Sequence, residues 1–378
     1  MKVLILGGCG DMGSSAARDL IKHEAVSKVV LADNNPDMAR THESVRSSEK
    51  VTSQYIDVAD INSVVKLMKE HDVVINDVGP YSKYGVQTVK AAIETRTNYV
   101  DICDVCDVTR EYLQFDDAAR DAGVAICTGF GGSPGITNLL AKYAADKLDE
   151  VEEIRILWTV SMNDRFGDMA MAQVLSQFIG NVVQYLDGKY VDVPAGTGAE
   201  EVDFWGGVRN EVYYSAHPEA LTLPRYVQGV KTVVQKGGYF PNWATKLFLN
   251  FIEMGIVNKE TLKVGDTTIP NRELMAMVVR NASGFWKKAS ELDYSPTNVV
   301  VKGKESGNRV TYTYYLRGRA APGIGMLSSM CARMLCSGEI TAKGIVAPEG
   351  AADPRKFLSY VLKRGIEEQK TIEGRQEF

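Results

Sequence analysis

Val3-Leu4-Ile5-Leu6-Gly7-Gly8-Cys9-Gly10-Asp11-Met12-Gly13 stands almost at the start of the chain, and its reading decides the fold. The apolar run Val3–Leu6 does not alternate, as expected of a strand buried on both faces. Gly8, Gly10 and Gly13 follow at once in G-x-G-x-x-G spacing, and Met12–Lys22 continues at helical spacing. A lone match to that spacing is weak. It becomes strong between a strand and a helix, with an acidic residue ending the next strand about twenty residues on, as Asp33 does. Gly8 would permit the tight turn, Gly10 would let a diphosphate reach bare main chain, and Gly13 would let the helix lie against the strand. Asp11 and Met12 open that helix, where free N–H groups and the positive dipole end favour phosphate.

The pattern therefore predicts a nicotinamide-dinucleotide site. Asp33 can accept hydrogen bonds from both ribose hydroxyls and would repel a 2′-phosphate, which favours NAD over NADP. Asn34 beside it, and Asp57 and Val58 after the third strand, fall on the adenosine side. Arg40 lies near enough in sequence to serve a 2′-phosphate instead.

Outward from this stretch, the first ~130 residues keep a βα rhythm, the signature of a doubly wound parallel sheet. Strands are expected at Lys28–Ala32, Thr52–Ile56, Val73–Asn76, Tyr99–Ile102 and Val124–Cys127. Helices are expected from Pro36 to about Val45 and over Asp60–Met68, Val86–Glu94 and Asp107–Ala122. Ser133 reads as an N-cap and Pro134 as the first residue of a helix running to about Leu148. The texture then changes. Ile154, Ile156, Trp158 and Val160 alternate, and strand-like runs recur at 230–235, 299–302 and 310–316. Helical patterns recur at 169–182, 243–254, 324–335 and 353–368, so the second domain reads as α+β.

In a doubly wound sheet, ligands lie beyond the carboxyl ends of the strands. The segment Asn76–Gly85 after the fourth strand, with Val78, Gly79 and Pro80, should run beside the nicotinamide half. Asp101, Cys103 and Asp104 end the fifth strand on the same edge. Ser133, Pro134 and Gly135 bring a second helix start there, whose N–H groups could hold a substrate carboxylate. Tyr81, Lys83, Asp101 and His217 are the candidates for proton transfer. Arg225 suits a bidentate grip on a carboxylate, and Arg165, Arg209 and Arg272 are the other arginines weighed for that task.

Composition bounds the reading. The chain has 378 residues, too many for one small core, so two domains are expected. A net charge of −5 argues against nucleic acid or an anionic membrane surface as partner. No stretch reaches bilayer-spanning length. Six cysteines without an export signal suit reduced thiols in the cytoplasm. Cys103 and Cys106 form a C-x-x-C pair with no second pair, so no metal is expected.

Four stretches resemble the saccharopine dehydrogenase family: Val3–Gly13, Asn76-Asp77-Val78-Gly79-Pro80-Tyr81, Tyr99-Val100-Asp101, and Gly129-Phe130-Gly131-Gly132-Ser133-Pro134-Gly135-Ile136-Thr137-Asn138. The segment Ala347-Pro348-Glu349 with Asp353-Pro354 resembles that family's closing stretch. The resemblance implies a Rossmann domain, residues 1–130 completed by 345–378, with a substrate and dimerisation domain, residues 131–344, inserted. It implies homodimers, and hydride transfer between a nicotinamide and a carbon bonded to nitrogen. Substrates would be amines, amino acids, opines or polyamine precursors. The family's carboxylate-binding arginines have no evident match here.

Two other readings remain open. Gly7-x-x-Gly10-x-x-Gly13 also fits an extended short-chain dehydrogenase, with Tyr143 and Lys147 as its acid–base pair. A regulator that binds the dinucleotide without turnover would carry the same fold.

Overall fold

The computed structural model describes residues 1–38, 41–164, 173, 176–257, 261–271, 274, 277, 281–282, 292–361 and 366–372. The chain divides into two compact units. One comprises Met1–Leu139 with Ala321–Phe357, the other Leu140–Ala320 with Leu358–Phe378.

The first unit is a doubly wound sheet. Strand β1 (Lys2–Leu6) is buried at four of its five positions, as its unbroken apolar run requires. It leads into α1 (Asp11–Leu20). Then follow β2 (Lys28–Asp33), α2 (Glu43–Arg46), β3 (Val51–Tyr55), α3 (Ile61–Met68), β4 (Val73–Asn76), α4 (Tyr81–Thr95), β5 (Asn98–Asp101), α5 (Cys106–Tyr112), α6 (Asp116–Ala122) and β6 (Ala125–Cys127). A seventh strand, Gly344–Val346, pairs with β6, and the order across the sheet is seventh–β6–β5–β4–β1–β2–β3. Every pairing is parallel. The order reverses between β1 and β4, which is where such sheets open a crevice. The helix Ala320–Cys336 packs closely on α1. A Cβ on Gly325 would stand 2.6 Å from Ala16 N and 2.7 Å from Met12 O, and Ser329 donates to Asp19 at 2.8 Å.

The second unit centres on a mixed sheet. Strand Glu150–Ser161 pairs in parallel with Thr232–Phe240 on one side and antiparallel with Thr297–Glu305 on the other. Trp158, Phe178, Tyr239 and Phe248 form its aromatic core. The Trp158 ring lies over Gly237, where any side chain would collide with the indole. Among the described residues no helix is long and apolar enough to cross a membrane.

Several elements depart from the sequence reading. Within the span expected as a helix from Pro36 to about Val45, residues 39 and 40 lie outside the described residues, and the described α-helix is Glu43–Arg46, capped where His42 accepts from Ser44 N. Helix α4 begins at Tyr81 rather than Val86. Gly85 sits inside it because the Tyr112 hydroxyl occupies the space of a side chain. Helix α7 (Ile136–Ala145) starts two residues beyond Pro134. The helix expected over 353–368 is a helix at Pro354–Ser359 followed by strand Ile366–Ile372, paired antiparallel with Asn308–Leu316. Of the helix expected at 169–182, residues 169–172, 174 and 175 lie outside the described residues; 173 and 176 are helical, 177–180 form turns and bends, and Asn181 begins a strand.

Candidate functional site

The glycine turn is built as a cradle. Gly7, not Gly8, supplies the left-handed turn, with φ of 73°, and its Cα abuts the carbonyl of Asp77. Gly8 is needed for a different reason: a Cβ there would stand 2.7 Å from Leu31 Cα on β2. At Gly13 a Cβ would meet Gly7 O at 2.5 Å and Gly8 Cα at 2.7 Å, so α1 lies directly on the turn. Gly10 differs from these. Its backbone is extended, and a Cβ would meet only Gly7 O, at 3.3 Å. The cradle is thus open at Gly10 and closed at Gly8 and Gly13. Gly10 caps α1 without a side-chain acceptor, which leaves the first-turn N–H groups around Asp11 and Met12 for an anion. These residues fit a dinucleotide diphosphate.

Asp33 closes one side of the cradle. It is 9% exposed, accepts from Cys9 N at 3.1 Å through Oδ2, and accepts from Asn35 N at 2.9 Å through Oδ1. Each carboxylate oxygen keeps a lone pair for a sugar hydroxyl. Asn34 is exposed beside it. Asp57 accepts from Ala59 N at 2.9 Å, and Val58, 7% exposed, packs under the sheet end while its carbonyl accepts from Gln87. Arg40 lies outside the described residues.

The carboxyl ends of β4 and β5 hold a polar cluster. Asn76 is fully buried. It donates to Tyr99 OH at 2.8 Å and to Thr88 Oγ1 at 3.2 Å, and accepts from Val78 N at 3.1 Å. This fixes the short connection through Gly79 and Pro80. Tyr81 OH donates to Asn76 O at 2.7 Å and accepts from Ile102 N at 3.4 Å, so it bridges two strand ends. Burial pushes its phenol well above the ordinary range. Asp101 is fully buried, and its Oδ1 accepts from Thr128 Oγ1 (2.8 Å), Gly129 N (3.0 Å) and Cys103 N (3.1 Å). Its Oδ2 has no partner, nor has either oxygen of Asp77. Burial first, and then the charge of Asp101, lifts Asp77 to about 7. Burial also raises Asp101, against the opposing pull of its hydrogen bonds.

The Gly129–Asn138 loop ends on the same edge. Gly135, with φ of 132°, has no room for a side chain against Gly131. Its N–H donates to Asn138 Oδ1 at 2.9 Å, a capping contact made from inside the helix. Asn138 Nδ2 in turn donates to Glu349 Oε2 at 3.0 Å, and both side chains are buried. Ser133 and Pro134 form the turn ahead of the helix. Because Asn138 is fully covered, Glu349→Ala should remove a buried acceptor from its amide. The expected loss is about 1–3 kcal/mol in urea unfolding, with faster amide exchange across Gly131–Gly135. Unchanged exchange in that loop would contradict this role for Glu349.

The remaining expected residues belong to the second unit. His217 is 5% exposed, 3.4 Å from Glu219 Oε2 and stacked at 5.5 Å on Trp158. Arg209 is exposed and paired with Asp203 at 2.7 Å and Glu201 at 3.4 Å. Arg225 is exposed in the last turn of helix Glu219–Tyr226. Arg165 and Arg272 lie outside the described residues. Lys147 is held by Glu368 at 2.6 Å and Tyr314 at 3.1 Å, and sits 4.1 Å from the Tyr143 ring centroid. That ammonium lies over the ring rather than at the phenol. All six cysteines are free thiols, and no metal-ligating cluster occurs among the described residues.

Sequence reasoning placed the cradle, Asp33, Tyr81 and Asp101 on one sheet edge, and the structure brings them there. It quoted Asn76, Asp77, Asn138 and Glu349 without giving them a task. For Asn76 and Asp77 the signal was their place directly after an apolar strand. Nothing in spacing links Asn138 to Glu349.

Comparison with known proteins agrees with this geometry. The family model for the saccharopine dehydrogenase NADP binding domain matches residues 3–127, the span from β1 through β6. The chain is 25% identical over 280 residues to carboxynorspermidine synthase of Vibrio cholerae, covering 70% of this chain and 65% of that protein. It thus spans a little under two thirds of that relative's length. The fold is similar to apo saccharopine dehydrogenase (L-Glu forming) from Saccharomyces cerevisiae. The TM-score is 0.71 at 16% identity, over 98% of this chain and 99% of that one. The glycine cradle and the strand-end residues Asn76, Asp77, Tyr81 and Asp101 thus lie within a span that matches the saccharopine dehydrogenase NADP binding domain, in a chain whose fold is similar to that of saccharopine dehydrogenase.

Proposed function

We propose that the chain is a nicotinamide-dinucleotide-dependent oxidoreductase acting at a carbon bonded to nitrogen, on an amine, amino acid or polyamine precursor. The observation that carries this reading is the cradle itself. Backbone is bare only at Gly10, an uncapped helix start faces it, and a carboxylate suited to ribose closes its side. The bound dinucleotide would supply the hydride acceptor or donor. The chain's own residues supply the rest: Gly10 and the α1 start hold the diphosphate, Asp33 the adenosine ribose. Val78, Gly79 and Pro80, kept in place by Asn76, border the nicotinamide half, and Asp101 with its neighbours provides titratable groups at the switch point. The relative's printed name, a synthase of a polyamine precursor, supports the amine class.

The test is absorbance at the reduced-nicotinamide band with a panel of amines and amino acids. Turnover of a member of the panel is expected. Tight dinucleotide binding with no turnover across the panel would favour the regulator instead. Asp33 also sets the expected preference for NAD. Asp33→Ser should weaken NAD binding at least tenfold, about 1.4 kcal/mol, and narrow the gap to NADP, read by calorimetry with both dinucleotides. A natural preference for NADP would overturn that assignment.

A further inference from the structure

Two buried carboxyls, Asp77 and Asp101, stand at the ends of neighbouring strands β4 and β5, beside the β1–β4 border where the sheet order reverses. Asn76 and Asp101 are register partners, so Asp77 is the next residue beyond the pairing. Three of the four carboxyl oxygens have no hydrogen-bond partner. The fourth, Asp101 Oδ1, accepts three. An ionised carboxylate left so bare is costly, and two side by side more so.

Relief comes only to Asp101, from its three bonded donors and from the Tyr99 hydroxyl, and burial outweighs it. Tyr81 from α4, Tyr99 on β5, Cys103 just beyond it, Tyr112 from α5 and Cys331 from the helix Ala320–Cys336 are other titratable groups acting here, and burial holds all five neutral. Burial and the charge of Asp101 alone act on Asp77, with no lysine, arginine or histidine among the causes of its shift. The glycine turn brings only backbone, with Gly7 against the Asp77 carbonyl. The arrangement thus asks for a positive charge beside Asp77. Part of residue 77 remains exposed although its oxygens are covered.

We propose that Asp77 and Asp101 form one acid–base unit that holds a single shared proton and exchanges it with the amine nitrogen of the substrate. In the direction that oxidises an amine, the pair begins without that proton; an ammonium N–H bond breaks and an O–H bond forms on the carboxylate pair, which then holds the one shared proton. The electron pair stays on nitrogen, and the step needs no oxidant. In the reverse direction the proton returns from Asp77 to nitrogen. The amine class rests on the function proposed above; the shared proton rests on the placement of the two carboxyls at adjacent strand ends, on their unpartnered oxygens, and on the charge of Asp101 acting on Asp77. The rise of Asp77 to about 7 agrees with an exchange near neutrality.

The test is a 13C-carboxyl titration of aspartate-labelled full-length protein from about pH 5 to about pH 9. One aspartate signal should titrate in the neutral range, vanish in Asp77→Asn, and move to lower pH in Asp101→Asn, where the neighbouring charge is gone. The carboxamide oxygen of Asp101→Asn can still accept the three bonds made by Oδ1, so that variant keeps a folded reference. No aspartate titrating near neutrality in the natural protein would overturn the proposal. The second arm is the pH profile of kcat/KM with an amine substrate. It should rise through the same pH in the oxidative direction, and Asp77→Asn should flatten it. A titrating signal with an unaltered profile in Asp77→Asn would overturn the exchange. If no amine is turned over, the proposed function fails and the exchange with it, while the shared proton is still decided by the titration.

Discussion

Gly10→Ala lowers dinucleotide affinity at least tenfold and leaves the melting temperature unchanged, whereas Gly13→Ala loses both. The contrast follows from what each new methyl would touch. At residue 10 the backbone is already extended, φ −76° and ψ 174°, which alanine adopts freely. The methyl would meet one protein atom, Gly7 O at 3.3 Å, and otherwise enter the space proposed for the diphosphate. Tenfold is about 1.4 kcal/mol, a modest demand for a group that holds a phosphate off the main chain. At residue 13 the methyl would stand 2.5 Å and 2.7 Å from two backbone atoms of the turn, neither able to swing aside. Overpacking of that kind costs about 1–3 kcal/mol or more, and it moves α1 away from the turn. Calorimetry with NAD and NADP beside thermal unfolding would separate the two. Natural affinity in Gly10→Ala would mean that the open side of the cradle faces no ligand.

Asp77→Asn stabilises the protein at alkaline pH far more than at acid pH. The folded protein holds Asp77 at about 7, against an ordinary value of 3.8. Between those values the folded state binds the proton and the unfolded chain does not. Stability contributed by this group is therefore complete below the lower value. It falls as pH rises through the interval and is lost above about 7. The full penalty is on the order of 2–4 kcal/mol, at about 1.4 kcal/mol per pH unit. Asparagine has no such penalty. Urea unfolding should show most of the gain at about pH 8 and less than half of it at about pH 5. Equal effects at the two pH values would show that Asp77 ionises in the fold as it does in water.

The first unit was largely legible because its signals are local. Unbroken apolar runs such as Val3–Leu6 and Val73–Ile75, each followed by glycine or a short polar residue, announce buried parallel strands. What local pattern conveys less well is which of two adjacent glycines turns. Gly7 and Gly8 differ only in what lies across from them, the Asp77 carbonyl in one case and Leu31 in the other. The state of Asp77 was hidden for the same reason, since it depends on a neighbour from the next strand. The pairing of Asn138 with Glu349 joins residues 211 apart, beyond any motif.

Strand Ile366–Ile372 shows tertiary context outweighing pattern. The sequence pattern there carries a helix on from 353 to 368. The strand instead pairs with the tyrosine-rich strand Asn308–Leu316, where Lys147 meets Glu368 and Tyr315 OH donates to Gln369. In the second unit, His217 and Arg225 lacked a local frame altogether, and their tasks could be weighed only by side-chain chemistry.

The seventh strand, Gly344–Val346, has a consequence for how the molecule is born. It completes the parallel sheet from a part of the chain made long after β6, and Ile345 N–H donates to Asp116, 229 residues earlier. During synthesis the first six strands leave the ribosome with the β6 border open, a template for stray pairing until the late segment arrives. Such long-range closure slows folding, so a nascent chain stalled before residue 344 would be a natural client for a chaperone that shields sheet edges.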